Sequence, residues 1–264
     1  MKGLTRRFWW QMAPPVGLLV VVLLVWQMTV EAFEIKRLLL PSPLDVIRAV
    51  VNDMDVLSAA TAQTAAAALC GFVTSLALGT LIAFAFSQSR IVRSSCYPYA
   101  IFLQTVPIVA IAPLIINWSG YGFRSVVIVS VIISLFPIIT NATAGLTTID
   151  RDLLELFRLH NASRWQILLK LRLPNSVPYL IAGAKTSSGL AVIGAIVGEF
   201  FAGASIGSFG LGYLVMQRSI QLKTAELFGP ILASALLGIV VFVSVSLAGA
   251  TILSRWYDQS AESG

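Results

Sequence analysis

Six long apolar runs constrain what this chain can fold into more than any other feature. A spanning helix needs about 20 mostly apolar residues, and runs of that kind lie near residues 9–30, 58–86, 97–118, 124–146, 178–201 and 228–253. Inside a bilayer every backbone N–H and C=O must be satisfied within the protein, so such runs read as helices. Composition agrees, with 57% of the 264 residues apolar and only 11% charged, against roughly 25% charge in soluble domains. The expected fold class is an all-helical integral membrane protein with six transmembrane helices.

The formal charge of +6 does not imply a nucleic-acid partner, because the basic residues are scattered between the apolar runs and form no patch. They read instead as topology signals. With the N-terminus inside, eleven Lys and Arg fall on the cytoplasmic side and six on the other, leaving Lys185 within a span. This asymmetry predicts that both termini are cytoplasmic. The start of the chain, with Lys2, Arg6 and Arg7 before an apolar run from Phe8, superficially resembles a signal peptide. The run continues to about Val30 and meets Glu31 and Glu34 with no small-residue cleavage pattern, so a retained first helix is expected.

Little catalytic chemistry is written in the sequence. Cys70 and Cys96 lie in or beside apolar runs, and the lone histidine, His160, stands five residues from Glu155, too far round a helix to share its face. His160 reads as a helix-end residue at the negative end of the dipole. None of the five lysines follows a glycine, so no phosphate-binding G-x-x-x-x-G-K-[ST] loop exists. No enzyme, metal site or cofactor of its own is expected for this chain.

One long charged segment interrupts the apolar pattern, running from Asp150 to Pro174, whereas no acid occurs between Asp55 and Asp150. It reads as two short helices about a hinge. Asp152 and Glu155 suggest a capping box, with Leu153, Leu154, Phe157 and Leu159 following at helical spacing. Asn161 falls where a helix often ends in the left-handed conformation. Ser163 and Gln166 form a second box, and Pro174 is expected to end the second helix.

At these residues a family resemblance appears. Glu155, Asn161-Ala162-Ser163, Ile167 and Leu173-Pro174 match the frame of the EAA loop of permeases of ATP-binding-cassette (ABC) importers. Two departures are visible: the triplet reads Glu155-Leu156-Phe157, and the usual glycine is Asn161.

The remaining spans carry their own patterns. Gly71, Ser75, Gly79 and Ala83 form a stripe of small residues, as do Gly183, Ser187, Ala191 and Ala195. Such stripes let helices approach closely in lipid, so both helices are expected inside the bundle. The third run holds Gln104, Pro107, Pro113 and Asn117, and the fourth Pro137 and Asn141. Prolines and amides at membrane depth are tolerated against protein or a wet cavity. Gln104, Pro107, Pro113, Asn117 and Asn141 are therefore candidates for a translocation pathway, alongside kinks and inter-helix hydrogen bonds as structural roles. Lys185 and Glu199 are the ionisable residues of the fifth run; Lys185 is close enough to its end to snorkel, and Glu199 is expected at the outer end, solvated or on the pathway. The stretch from Leu40 to Val51, with Val46, Ile47, Val50 and Val51 on one face, reads either as an amphipathic segment along the outer interface or as an ordinary extracellular loop.

The third-run pattern, with Gly198-Glu199 and Gly210-Leu211-Gly212 downstream, extends the resemblance over most of the chain from Leu40. It resembles the ABC-importer permease branch serving nitrate, alkanesulfonates, taurine and, in some members, thiamine-precursor pyrimidines or riboflavin. The resemblance implies a type I importer permease fold. It implies an N-terminal helix with its flanks over 1–35, and a five-helix core over 36–264 that includes a cytoplasmic coupling loop, 147–177. Glu155, Leu156, Phe157, Asn161, Ala162 and Arg164 would be the ATPase-coupling residues. The partners implied are ABC ATPase subunits carrying ATP and Mg, a second permease copy and an extracytoplasmic substrate-binding protein, all at the bacterial inner membrane. An ion-coupled secondary transporter is the alternative; it would want a mid-span carboxylate, and the runs hold none.

Overall fold

Close helix contact at the small residues sets the architecture. The computed structural model describes residues 2–203 and 209–262; side chains of 2–12 and 256–262, including those of Lys2, Arg6 and Arg7, lie outside the description. Its helices are α1 (Lys2–Ala32), α2 (Pro43–Asn52), α3 (Met54–Gln88), α4 (Arg90–Thr105), α5 (Ile108–Ser119) and α6 (Phe123–Thr147). They continue with α7 (Arg151–Leu159), α8 (Arg164–Ile167), α9 (Leu173–Ala202), α10 (Leu211–Ile220) and α11 (Thr224–Glu262).

The centre of the bundle is α6 packed along α9, with α3 laid against both. Helix axes come this close only where side chains are absent. A Cβ added at Gly194 would stand 2.6 Å from the Cα of Ser130, and one at Gly198 2.9 Å from the Cα of Val126. Hydroxyls stitch the same seam: Ser130 Oγ donates to the Ala191 carbonyl at 2.8 Å and Ser187 Oγ to the Ser134 carbonyl at 2.7 Å. Both expected stripes are buried, Gly79 facing Ile138 and Gly183 facing Pro137 and Asn141. The two helices sit inside the bundle, as their spacing predicted.

Among the described residues five helices are long and apolar enough to cross a membrane, and the bent pair α4–α5 supplies the sixth candidate. The third run is thus not one kinked helix. It breaks between Thr105 and Ile108 with a bend of 101°. Pro107 has no N–H to give and disfavours a helical Val106, which is extended here (φ −71°, ψ 125°), and α4 ends there. Pro113, by contrast, is absorbed within α5.

The expected amphipathic segment is α2, capped by Ser42, whose Oγ accepts from Asp45 N at 3.2 Å. Val46 is buried, while Ile47 and Val51 face outward. At the far end of the same region Arg218 of α10 pairs with Asp53 at 2.9 Å and with Glu226, tying α10 to the α2–α3 corner and the start of α11.

Candidate functional site

The charged segment folds as a projecting helical hairpin, with two corrections to its expected details. Asp150, not Asp152, caps α7, its carboxylate accepting from Asp152 N at 2.9 Å. An acid two positions earlier meets the orphan amides directly, leaving Asp152 in the first turn, where the helix dipole favours it. Pro174 does not end the second helix. A π-turn over Leu168–Arg172 joins α8 to α9, and Leu173 N reaches back to the Leu168 carbonyl. The wider turn places Pro174 in the first turn of α9, where its missing N–H matters least.

The hinge is a Schellman turn. Asn161 has φ 54°, its N–H meets the Arg158 carbonyl at 3.0 Å, and Ala162 N meets the Phe157 carbonyl at 2.9 Å. The Ser163–Gln166 capping box then forms in both directions, at 3.3 and 2.7 Å. His160 sits at the helix end, its N–H on the Leu156 carbonyl.

No residue of α7 or α8 is buried. Leu153, Leu156 and Leu159 are 46%, 48% and 79% exposed, and Trp165 65%. The hairpin has two recesses. Leu156, Phe157, His160, Ala162, Gln166 and Lys170 line a groove of about 260 Å³. Arg164 is not part of it; with Arg158, Arg172, Ser87 and Gln88 it lines a separate recess of about 350 Å³ against the end of α3. Glu155 and Asn161 are exposed beside these recesses. The structure therefore gathers Leu156, Phe157 and Ala162, and separates Arg164 from them.

The residues proposed for a pathway also divide. Gln104 and Pro107 flank the α4–α5 break, and Pro113 and Asn117, four apart, share a face of α5; all four are exposed. Asn141 is elsewhere, half-buried in the α6–α9 seam, donating to the Pro137 carbonyl at 2.8 Å. Lys185 is half-buried near α11, where a Cβ at Gly249 would come 3.5 Å from its Cε.

Glu199 is not solvated; it is 5% exposed. Its Oε2 accepts from Thr64 Oγ1 of α3 at 2.8 Å and from Gly212 N at 2.9 Å, while Thr64 Oγ1 accepts from Leu211 N at 2.8 Å. A carboxylate and a hydroxyl thus satisfy two orphan amides at the start of α10, where the helix dipole favours negative charge. The glycines around it follow from this geometry. A Cβ at Gly210 would overlap the Glu199 carboxylate, and one at Gly212 the Ile196 carbonyl. Residues 204–208 of this stretch lie outside the described set. Thr64 was missed by sequence reasoning, since one hydroxyl in an alanine-rich run carries no signal of its partner 135 residues away.

Known proteins share this architecture. Residues 75–259 match the family model described as binding-protein-dependent transport system inner membrane component. The riboflavin transport system permease protein RibX of Chloroflexus aurantiacus is 32% identical over 97% of this chain and 94% of its own length. The formylaminopyrimidine transport permease protein ThiX of Halalkalibacterium halodurans is 30% identical, covering 89% of this chain and 93% of its own. The putative aliphatic sulfonates transport permease protein SsuC of Bacillus subtilis is 26% identical over 88% and 83%. An inward-facing structure of the MetNI methionine ABC transporter superposes with a TM-score of 0.53 at 21% identity, over 76% of this chain and 94% of that one, which establishes the shared type I importer fold. The helical bundle, the projecting hairpin and a family match across most of its length place this chain among the inner membrane components of binding-protein-dependent transport systems, the permease subunits of ABC importers.

Proposed function

We propose that this permease forms half of the membrane part of an ATP-driven importer, and that the 147–177 hairpin receives a separate ATPase on the cytoplasmic side. The observation that carries the reading is the exposed apolar surface of α7 and α8, with Leu153, Leu156, Leu159 and Trp165 open on a water-facing projection. Exposed apolar surface of this kind marks an interaction site. Glu155, Leu156, Phe157, Asn161 and Ala162 form the docking face, with Arg164 at its margin. ATP and Mg²⁺ belong to the ATPase.

The hairpin is built to transmit force. The Schellman turn and the capping box fix α7 to α8, and the π-turn carries α8 without a break into α9, which packs along α6. A displacement of α7 by the closing ATPase therefore reaches the bundle core. For this to be coupling, the docked hairpin must favour different permease states in different nucleotide states.

On the same reading a second permease copy covers the α4–α5 face. Exposed amides at Gln104 and Asn117 beside a broken helix do not suit lipid, and they line a wet pathway instead. A binding protein on the outer side delivers the solute, and both termini lie in the cytoplasm, counting α4–α5 as one crossing. The relatives' names point to a sulfonate-like anion or a pyrimidine- or flavin-like heterocycle as cargo.

The test is uptake by proteoliposomes holding the permease, its ATPase and its binding protein. Uptake that requires internal ATP and survives a protonophore is expected, with Glu155→Lys reducing it at least about tenfold, as for a lost 1.4 kcal/mol of coupling. Uptake without ATP, abolished by a protonophore, would replace this reading with ion-coupled transport.

A further inference from the structure

The arginine recess is chemically unlike the docking groove. Leu154 and Arg158 stand four apart on one face of α7, and Leu156 and His160 four apart on another. Two positions along a helix turn a side chain by about 200°. Arg158 therefore points to the end of α3 while Leu156 points away from it.

Three guanidinium groups, from Arg158, Arg164 and Arg172, converge on this recess, and among the described residues no carboxylate lines it. Among the described residues every ion pair lies instead around Arg37, Arg218 and Lys223. Arg172 spends one nitrogen on the Ser87 carbonyl at 2.8 Å, so part of its charge serves the exposed end of α3. Among the described residues Arg158 and Arg164 make no such contact. Three clustered positive charges repel one another unless an anion joins them.

The depth of the recess selects the anion. Helix α3 has 35 residues, roughly 50 Å at 1.5 Å each, against a hydrocarbon core of about 30 Å. The apolar run of α3 ends at Phe86 and Arg90 follows, so its last turn, Ser87 and Gln88, is where the helix leaves the hydrocarbon for the headgroup level. Ile167 and Leu168 supply an apolar wall beside the arginines. Basic pockets between helices at this level suit phosphate headgroups, and guanidinium is the side chain best shaped to hold phosphate.

We propose that this recess is a binding site for a phosphate-bearing anion, occupied in the membrane by the headgroup of an acidic phospholipid. The bound headgroup bridges the end of α3 to both arms of the hairpin, and so steadies the hairpin before any ATPase arrives. The proposal is independent of cargo; it shares Arg164 with the margin of the proposed docking face, so its tests are made at Arg158 and Arg172.

The test is native mass spectrometry of the full-length chain in neutral detergent, with phosphatidylglycerol or phosphatidylcholine added, and thermal unfolding with inorganic phosphate in parallel. Phosphatidylglycerol should be retained over phosphatidylcholine. Retention should fall about fivefold in Arg158→Gln, as for one arginine at a membrane surface, and further in Arg158→Gln/Arg172→Gln. Arg151→Gln, outside the recess, should leave it unchanged. Absence of lipid preference, with phosphate stabilising the wild type but not Arg158→Gln, would keep the anion site and assign it to a soluble phosphate. Equal retention by wild type and Arg158→Gln, with no effect of phosphate on either, would overturn the proposal. The single variant decides the matter should the loss of the Arg172–Ser87 bond prevent the double variant from folding.

Discussion

Helices α6 and α9 flank the hairpin in sequence, yet seam and hairpin follow opposite rules. In the seam the decisive residues are small and buried, backbone lies against backbone, and hydroxyls donate across the gap. In the hairpin nothing of α7 or α8 is buried, large apolar side chains stand open, and order comes from local devices: an Asp150 cap, a Schellman turn and a capping box. The difference separates two tasks. The seam keeps the bundle one body, while the hairpin holds its own shape without using its exposed apolar surface, the surface proposed to receive the ATPase.

Substitutions that treat the two regions alike should expose the difference. The largest effect is expected at Gly194. Any side chain there meets the Ser130 backbone, so Gly194→Val should cost at least the upper end of the about 1–3 kcal/mol of an overpacked core and leave little monodisperse protein in fluorescence-detected size exclusion. Gly189→Val, with open space around its Cβ, should elute like the wild type.

Next comes the clasp at Glu199. Glu199→Ala leaves the Gly212 amide without its acceptor, at about 1–3 kcal/mol for one buried group unsatisfied, while the Thr64 hydroxyl keeps the Ala60 carbonyl at 3.1 Å. Glu199→Gln keeps an accepting oxygen and should recover part of the loss in a thermal melt. Equal melting of the two variants would mean that the carboxylate does not hold α10.

A smaller effect is expected of the seam hydroxyls. Ser187→Ala removes one inter-helix hydrogen bond, worth about 0.6 kcal/mol among membrane helices, and should lower the melting point slightly. At the hairpin, Leu156→Asp should change stability least of all, within about 0.5 kcal/mol as for other surface positions.

Legibility in the sequence followed the range of the interaction. Five of the six spans, the small-residue stripes, the left-handed Asn161 and the Ser163–Gln166 box depend on neighbours in sequence or on lipid, and all are present. The bend at Pro107 was visible as a proline but not as a break, because Pro113 and Pro137, equally proline, stay inside their helices. Whether a proline breaks a helix depends on what packs against the freed backbone, and sequence spacing does not hold that. The π-turn that carries the chain past Pro174 was hidden for the same reason. Glu199 was flagged but misplaced, since its burial depends on Thr64 and on glycines that only the fold brings to it. The separation of Arg164 from Leu156 likewise follows from the helix faces, which became fixed only once the hinge was.

The most direct test of the central claim, that α7 is the ATPase-docking element of this permease, is co-purification. The tagged chain and its Leu156→Asp variant would be isolated from the native host in mild detergent, and the retained ATPase quantified alongside the melting curve of the permease. The account predicts that the wild type carries an ABC ATPase and that the variant loses it while eluting and melting like the wild type. Equal retention of the ATPase by the two chains would contradict it.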